Sequence, residues 1–162
     1  MTPNQVHRVL RRVLFVGIFG AILVLVYRFR FVELSPGNDS VPPPLVSASR
    51  VVVDRLPVRG SGSLEHGDLV VIETTLQGRL ARYLVEVGAL PGDTVANREE
   101  NLWVGGEPTS YPAVPGLEES RVPPRHYLLF TPNRRASVPD SVEFGFVPST
   151  SVLSRLGAVA PF

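Results

Sequence analysis

The chain contains no cysteine and no lysine, since all sixteen of its basic residues are arginine. Without cysteine there is neither a disulfide framework nor a thiolate metal site, and the three histidines lie far apart in the sequence. We therefore expect no metal and no cofactor. Arginine stays protonated in proteins, so the chain also has no side-chain amine that could accept a proton.

An excess of charge of either sign is missing as well. The formal net charge is +1, from 16 basic and 15 acidic residues. Such a balance gives no global field that would attract a polyanion, and no basic face interleaved with aromatic residues follows the amino terminus. Nucleic-acid binding is therefore not expected.

One long apolar segment lies near the amino terminus. Val13–Tyr27 is uncharged, and its continuation to Val32 gives about 20 residues, enough to cross a bilayer. Basic residues precede the segment, and the positive-inside tendency then places the amino terminus in the cytoplasm. A cleaved signal peptide is less favoured because no small-x-small site follows at the expected distance. A buried core helix is disfavoured by the flanking arginines.

The chain of 162 residues therefore accommodates an anchor and one domain of about 130 residues. We predict a cytoplasmic tail at residues 1–12, a transmembrane anchor at 13–32 and a β domain at 33–162. The protein would be a single-pass protein of the cell membrane. Its domain would face the periplasm or the cell exterior.

Short apolar runs rich in valine, separated by proline and glycine turns, replace any helical periodicity beyond the anchor. This pattern predicts an all-β domain with a single core. The predicted strands are Arg50–Arg55, Leu69–Thr74, Leu80–Gly88, Asn101–Val104, His126–Thr131 and Phe144–Val147.

The most specific pattern is Gly88–Val95, which reads GALPGDTV. Pro91 and Gly92 suit a tight turn after a strand, because proline presets φ and glycine tolerates positive φ. His66–Ile72 precedes this run and Leu102–Gly106 follows it. In this order the segments resemble the signal peptidase I family of membrane serine endopeptidases. The resemblance implies a signal peptidase I-like folded sheet domain behind one transmembrane helix.

A second block, Ser40–Leu45, is similar to the family's Ser-Met-x-Pro-Thr-Leu. The resemblance places Ser40 at the nucleophile, with Val41 and Pro43 beside the bound substrate. Taken alone, a serine beside three prolines is equally typical of an extended linker.

A third block, Val122–Pro148, is similar to the family segment that contains Gly-Asp-Asn-Arg and Ser-x-Asp-Ser-Arg. It places Ser137 and Asp140 among the residues that support the active site. Thr131 and Pro132 replace the Gly-Asp pair, and Val142 replaces the last arginine.

The resemblance fails at the general base. The family has a lysine six residues before the proline of the turn, and Val85 stands at that position. Valine has no lone pair with which to activate a serine. Strand alternation puts Tyr83, a candidate substrate-binding residue, on the face of Val85 and Glu86 on the other face, so Glu86 cannot take the place of the lysine.

An unconventional base is the alternative. His66 or His126 would accept the proton of Ser40 while Asp140 orients the ring, as in a Ser-His-Asp triad. A histidine beside a turn or at a strand end is equally typical of a structural residue.

The leading interpretation is a catalytically degenerate homologue that binds exported or membrane-tethered polypeptides, or that partners an intact signal peptidase. The family's groove takes an extended peptide as an added strand, which permits binding without cleavage. The alternative is an active serine endopeptidase that processes the signal peptides of exported precursors through Ser40.

Overall fold

A computed structural model describes residues 3–34, 50–54, 64–76, 78–132 and 138–158. Helix α1 (Pro3–Arg28) contains the apolar segment, and its stretch Leu10–Arg28 has a mean hydropathy of 2.1 with none of it buried against the rest of the protein. The helix is therefore long and apolar enough to cross a membrane. It begins earlier than the predicted anchor and includes most of the predicted tail.

The carboxyl end of the predicted anchor needs correction. The helix ends at Arg28, and residues 29–32 belong to strand β1 (Phe29–Glu33), which begins with no intervening residue. The reason is the two-residue period of this stretch: Val32 and the following Leu34 are buried in the core, whereas Phe31 is 63% exposed. The β domain therefore starts at Phe29 rather than at residue 33.

The described part of the chain forms eleven strands, all of them in the β domain that starts at Phe29. They are β1, β2 (Arg50–Asp54), β3 (Leu69–Leu76), β4 (Arg79–Ala89), β5 (Thr94–Arg98), β6 (Asn101–Val104), β7 (Glu107–Pro112), β8 (Ser120–Arg121), β9 (His126–Phe130), β10 (Val147–Pro148) and β11 (Val152–Ala158). A short helix α2 (Ser141–Phe144) precedes β10, and a 3-10 turn at Ser149–Ser151 precedes β11. The predicted all-β class is confirmed.

Two antiparallel sheets result. The larger sheet has the order β1-β2-β11-β3-β4-β9-β10, and the smaller one the order β7-β6-β5-β8. Strand β4 is the longest, and it pairs with β3 from Arg79 to Glu86 and with β9 from Glu86 to Ala89, with a register shift between Val87 and Ala89. It therefore links the hairpin at one end to the small sheet at the other.

One predicted strand is wrong. Ser141–Phe144 forms α2, so only Val147 of the predicted strand Phe144–Val147 is extended. Asp140 caps the helix by accepting a hydrogen bond from the Val142 backbone, and Gly145 ends it with φ of 66°. Strands β5, β7, β8 and β11 were not predicted, because their polar or proline-containing segments lack an apolar run.

The core is divided among three clusters. The first lies on one face of β3 and β4 and includes Val70, Tyr83 and Val85. The second contains Val71 and Leu84 from the opposite faces of the same strands. The third fills the space between the two sheets and contains the aromatic residues Phe130 and Tyr111. Strand β4 therefore has apolar side chains buried on both of its faces.

Candidate functional site

Val85 lies in the middle of β4 and has no exposed surface. Its partner on β3 is Val70, and the cluster around it is made of aliphatic and aromatic side chains. Among the described residues, the buried polar side chains are those of Thr131, Ser141 and Ser154, and none is charged. A lysine at position 85 would lie in apolar surroundings that lower the pKa of its amine. The position has the burial that a neutral-amine base requires but not the nitrogen.

Two tyrosines belong to the same cluster. Tyr83 is 7% exposed and Tyr127 is 2% exposed. Burial raises the pKa of Tyr127, which keeps its hydroxyl protonated at neutral pH. Neither residue supplies a base, and Tyr83, the candidate substrate-binding residue, packs in the core beside position 85.

Glu86 points away from this cluster, as the alternation along β4 predicts. Its Oε1 accepts a 2.7 Å hydrogen bond from the Tyr111 hydroxyl. Burial, followed by this hydrogen bond to Glu86, raises the pKa of Tyr111. The carboxylate next to Val85 is therefore held on the opposite face of the strand.

Gly88 opens the GALPGDTV run because two aromatic rings lie over it. The ring of Tyr111 stacks on that of Phe130, with 4.6 Å between centroids. A Cβ at Gly88 would lie 2.5 Å from two carbons of the Phe130 ring and 3.2 Å from Tyr111. Only glycine fits here without displacing a ring.

The Leu90–Asp93 turn joins the two sheets. The Gly92 backbone N–H donates to Val122, and the Val122 N–H donates in turn to Asp93, over 2.9 Å and 2.8 Å. Asp93 Oδ2 accepts a 2.7 Å hydrogen bond from the Leu90 N–H, and Gly92 adopts φ of 94°. This explains why the run needs Gly and Asp in that order.

The same carboxylate meets a histidine from the segment before β3. His66 Nε2 lies 2.8 Å from Asp93 Oδ2, and the two side chains are 53% and 25% exposed. The backbone of Gly67, the next residue, donates to Val87 over 2.8 Å. His66 therefore connects the start of β3 to the turn that follows β4.

Asp140 is fully engaged by local donors. Oδ2 accepts from the Thr131 N–H over 3.0 Å and from the Thr131 hydroxyl over 2.7 Å. Oδ1 accepts from the Val142 N–H over 2.8 Å, and the adjacent Ser141 hydroxyl accepts from the Leu129 N–H. These bonds hold α2 against β9.

Asp140 and the two histidines proposed for the triad have different hydrogen-bond partners. The hydrogen bonds of Asp140 go to Thr131 and Val142, whereas His66 meets Asp93 and His126 Nδ1 lies 3.0 Å from the Pro124 carbonyl. Ser40, Val41, Pro43 and Ser137 lie outside the described residues. In the described part of the chain, no group of three His, Cys, Asp or Glu residues is arranged to hold a metal ion.

Sequence reasoning missed three of these contacts. The His66–Asp93 pair had a signal, because His66 precedes the start of β3 and Asp93 follows the end of β4, but strand register was needed to bring these two chain ends together. Tyr111 and Thr131 carried no signal. Tyr111 binds Glu86, which is 25 residues away in the sequence, and Thr131 binds Asp140, which is 9 residues away.

An apolar helix long enough to cross a membrane therefore precedes a β domain of two antiparallel sheets. The family described as signal peptidase, peptidase S26, matches residues 9–160. The chain belongs to this family.

Curated relatives are similar over most of the chain. Signal peptidase I S of Bacillus subtilis (strain 168) is 27% identical over 133 residues, which cover 72% of this chain and 70% of the relative. Signal peptidase I of Bacillus amyloliquefaciens is 25% identical over 132 residues, covering 72% and 69%. A crystal structure of a signal peptidase I from Enterococcus faecalis V583 has a TM-score of 0.46 at 22% identity, and the alignment covers 58% of this chain and 97% of that one.

Proposed function

We propose that this protein is a catalytically degenerate member of the signal peptidase family that binds exported or membrane-tethered polypeptides without cleaving them. Val85 carries the proposal. A serine hydroxyl needs a neighbouring base to become a useful nucleophile, and the family's base position is occupied by a side chain with no exposed surface and no lone pair.

The residues around position 85 support this reading. Glu86 is bound to Tyr111 on the other face of β4, and Asp140 is bound to Thr131 and to the cap of α2. Each carboxylate near the expected site therefore has a structural partner. A base relocated to either residue would first have to break a hydrogen bond of 2.7 Å.

The polypeptide ligand follows from the family. The relatives are named signal peptidases, whose substrates are exported polypeptides. The family's groove takes its peptide as an added strand, and this mode of binding depends on main-chain hydrogen bonds and side-chain pockets rather than on the base. Loss of the lysine is therefore compatible with retained binding.

A cleavage assay tests the proposal. The full chain in detergent is incubated with a precursor bearing an Ala-x-Ala site, beside the Ser40→Ala variant and an intact family member. We expect no product above the Ser40→Ala background, together with saturable binding of the precursor. Cleavage by the native chain that disappears in Ser40→Ala would overturn the degenerate reading, and absence of binding would overturn the ligand assignment.

The His66–Asp93 pair favours a second candidate, an active endopeptidase with a histidine base. A carboxylate 2.8 Å from an imidazole is the arrangement that orients a general base in serine hydrolases. In that case His66 would act on Ser40 without the help of Asp140.

A single substitution distinguishes a His66 that acts as the general base from a His66 that only binds Asp93 to stabilise the fold. His66→Arg preserves a cation that can meet Asp93, and arginine also stands at this position in the family pattern, but it cannot accept a proton. If the native chain cleaves, a histidine base requires His66→Arg to abolish cleavage. Full activity in His66→Arg would assign the pair to structure alone.

A further inference from the structure

The outer face of the small sheet carries a trough with one aromatic wall. Val95 and Leu102 belong to the cluster between the two sheets, so the next residues along β5 and β6, Ala96 and Trp103, lie on the opposite face. Ala96 and Trp103 are direct cross-strand partners. Because Ala96 has only a methyl group, it forms a low floor beside the indole ring of Trp103.

Glu119 forms the opposite wall of the trough. Strand β8 pairs with β5 through Ser120 and Val95, so Glu119, the residue before Ser120, lies beside Ala96 on the side away from Trp103. Two strand spacings, about 10 Å, separate the backbones of the two walls. The cavity between them has a volume of about 270 Å³. Its lining is completed by Thr94, Val95, Arg98, Gly105 and Gly106.

A cation of this chain already lies against the aromatic wall. The guanidinium carbon of Arg98 is 4.8 Å from the centroid of the Trp103 ring, and Arg98 itself is exposed. A planar guanidinium stacks on an aromatic face and is attracted by its electron density. An arginine beside a tryptophan is ordinary on a protein surface. Here the ring faces an open trough with a carboxylate on its other side, so a guanidinium from outside finds both a stacking face and an ion pair.

The charge around the trough favours a cationic ligand. Residues 94–122 contain five glutamates and two arginines, and all seven of these residues are exposed. The whole chain has a formal net charge of +1, so the acidic excess is a local property of the small sheet. A negative local field raises the concentration of basic segments near the surface and repels anions. The ligand that matches both the ring and the field is therefore a basic side chain.

We propose that the trough binds an arginine side chain of a polypeptide partner, which stacks on Trp103 and pairs with Glu119 while Arg98 moves off the ring. In the free protein Arg98 occupies the aromatic wall, so it competes with the partner for Trp103. The site lies on the small sheet and uses neither Val85 nor Ser40. Binding in the trough is therefore independent of whether the protein cleaves its polypeptide ligands.

Calorimetric titration of the full chain in non-ionic detergent tests the site. One short peptide alternates arginine with glycine, and a second carries citrulline, which has the shape of arginine without its charge. We expect saturable binding of the arginine peptide that weakens with added salt, and no binding of the citrulline peptide. The emission of Trp103, the single tryptophan of the chain, should change over the same titration. Absence of binding, equal binding of the two peptides, or binding without a change in this emission would overturn the proposal.

Two pairs of matched variants distinguish the trough from general attraction to an acidic surface. Glu119→Gln and Glu118→Gln remove the same charge from adjacent exposed residues, of which only Glu119 lines the trough. Glu119→Gln should weaken binding about fivefold, and Glu118→Gln less than about twofold. Arg98→Ala and Arg121→Ala also remove equal charges from one face, but of these two only Arg98 lies over the ring, so Arg98→Ala should tighten binding several-fold more. Equal effects within either pair would overturn the trough as the site.

Discussion

The hydroxyl of Tyr111 donates its hydrogen bond to Glu86, so the carboxylate next to Val85 is tied to the small sheet. This bond crosses from β7 to β4 over 2.7 Å in a partly buried setting. It stabilises the contact between the two sheets, and it removes the acidic residue nearest to Val85 from any chemistry on the opposite face.

Tyr111→Phe should lower the free energy of unfolding by about 1–2 kcal/mol, because the phenylalanine keeps the stack on Phe130 but leaves Glu86 without this donor. Thermal unfolding in detergent, followed by Trp103 fluorescence, measures the change. Glu86→Gln keeps an amide oxygen as acceptor and should cost less. Equal stability of the native and Tyr111→Phe proteins would show that the bond contributes nothing.

The same pair predicts a sign for the effect of alkaline pH. Because the pKa of Tyr111 is raised in the folded protein, its contribution to stability is complete below the unfolded value of about 10 and is lost as pH rises above it. The native protein should therefore lose stability above about pH 10 more steeply than Tyr111→Phe. Parallel curves for the two proteins between about pH 9 and pH 11 would contradict this expectation.

Val85→Lys should make stability depend on pH in the opposite direction. A lysine buried in the first cluster has a folded-state pKa below the unfolded value of about 10.4. Between these two pKa values the amine is protonated in the unfolded chain and neutral in the folded chain. Stability should then be highest above about pH 10.4 and fall by about 1.4 kcal/mol for each unit of pH below it, until the folded-state pKa is reached.

The matched control for this variant is Val85→Met, which adds length without a titrating group. The unfolding free energy of Val85→Met should change with pH in the same way as that of the native protein between about pH 7 and pH 10, with at most a constant difference between the two. If the unfolding free energy of Val85→Lys has the same pH dependence as that of Val85→Met, the amine is solvated and position 85 is not the apolar site described above.

Gly88→Ala should destabilise the protein by about 1–3 kcal/mol, because the new methyl group would meet the Phe130 ring at 2.5 Å. A double-mutant cycle with Phe130→Leu identifies the cause. The smaller side chain makes room, so the two changes together should cost less than the sum of the single changes. Strict additivity would indicate a backbone effect instead of a clash.

Asp140→Ala should cost about 2–3 kcal/mol, because it removes the cap of α2 and the acceptor for Thr131. Thr131→Val removes only the hydroxyl bond and should cost about 1 kcal/mol. Equilibrium unfolding of the two variants distinguishes the contributions. If both cost the same, the cap is dispensable, and Asp140 would need another explanation.

Much of the larger sheet was predictable from the sequence, because β3, β4 and β9 are apolar runs whose burial follows from their composition. Position 85 was also correctly predicted to share a face with Tyr83 and not with Glu86, since alternation alone decides this. In the small sheet, β6 was predicted with its observed bounds, whereas β5, β7 and β8 were not predicted. Glu107–Pro112 has no apolar run, and it pairs with β6 through the Gly105 and Gly106 turn.

The polar contacts of the site could not be predicted from the sequence, because they join residues that only the three-dimensional structure brings together. His66 and Asp93 are 27 residues apart, and only the register of β3 with β4 brings them within 2.8 Å. Pro132 was interpreted as the loss of a charged partner, whereas the hydroxyl of the neighbouring Thr131 binds Asp140. A residue-by-residue comparison with the family pattern does not reveal this contact.

Strand β1 follows directly after Arg28, the last residue of α1, so the orientation of the large sheet is coupled to the rotation of the helix about its own axis. With no residue between the two elements, a residue inserted into α1 would raise the domain by about 1.5 Å and turn it by about 100° about the helix axis. The length of α1 therefore sets the orientation of the β domain about the helix axis, and the insertion of a single residue would carry the β3–β4 hairpin to another side of that axis.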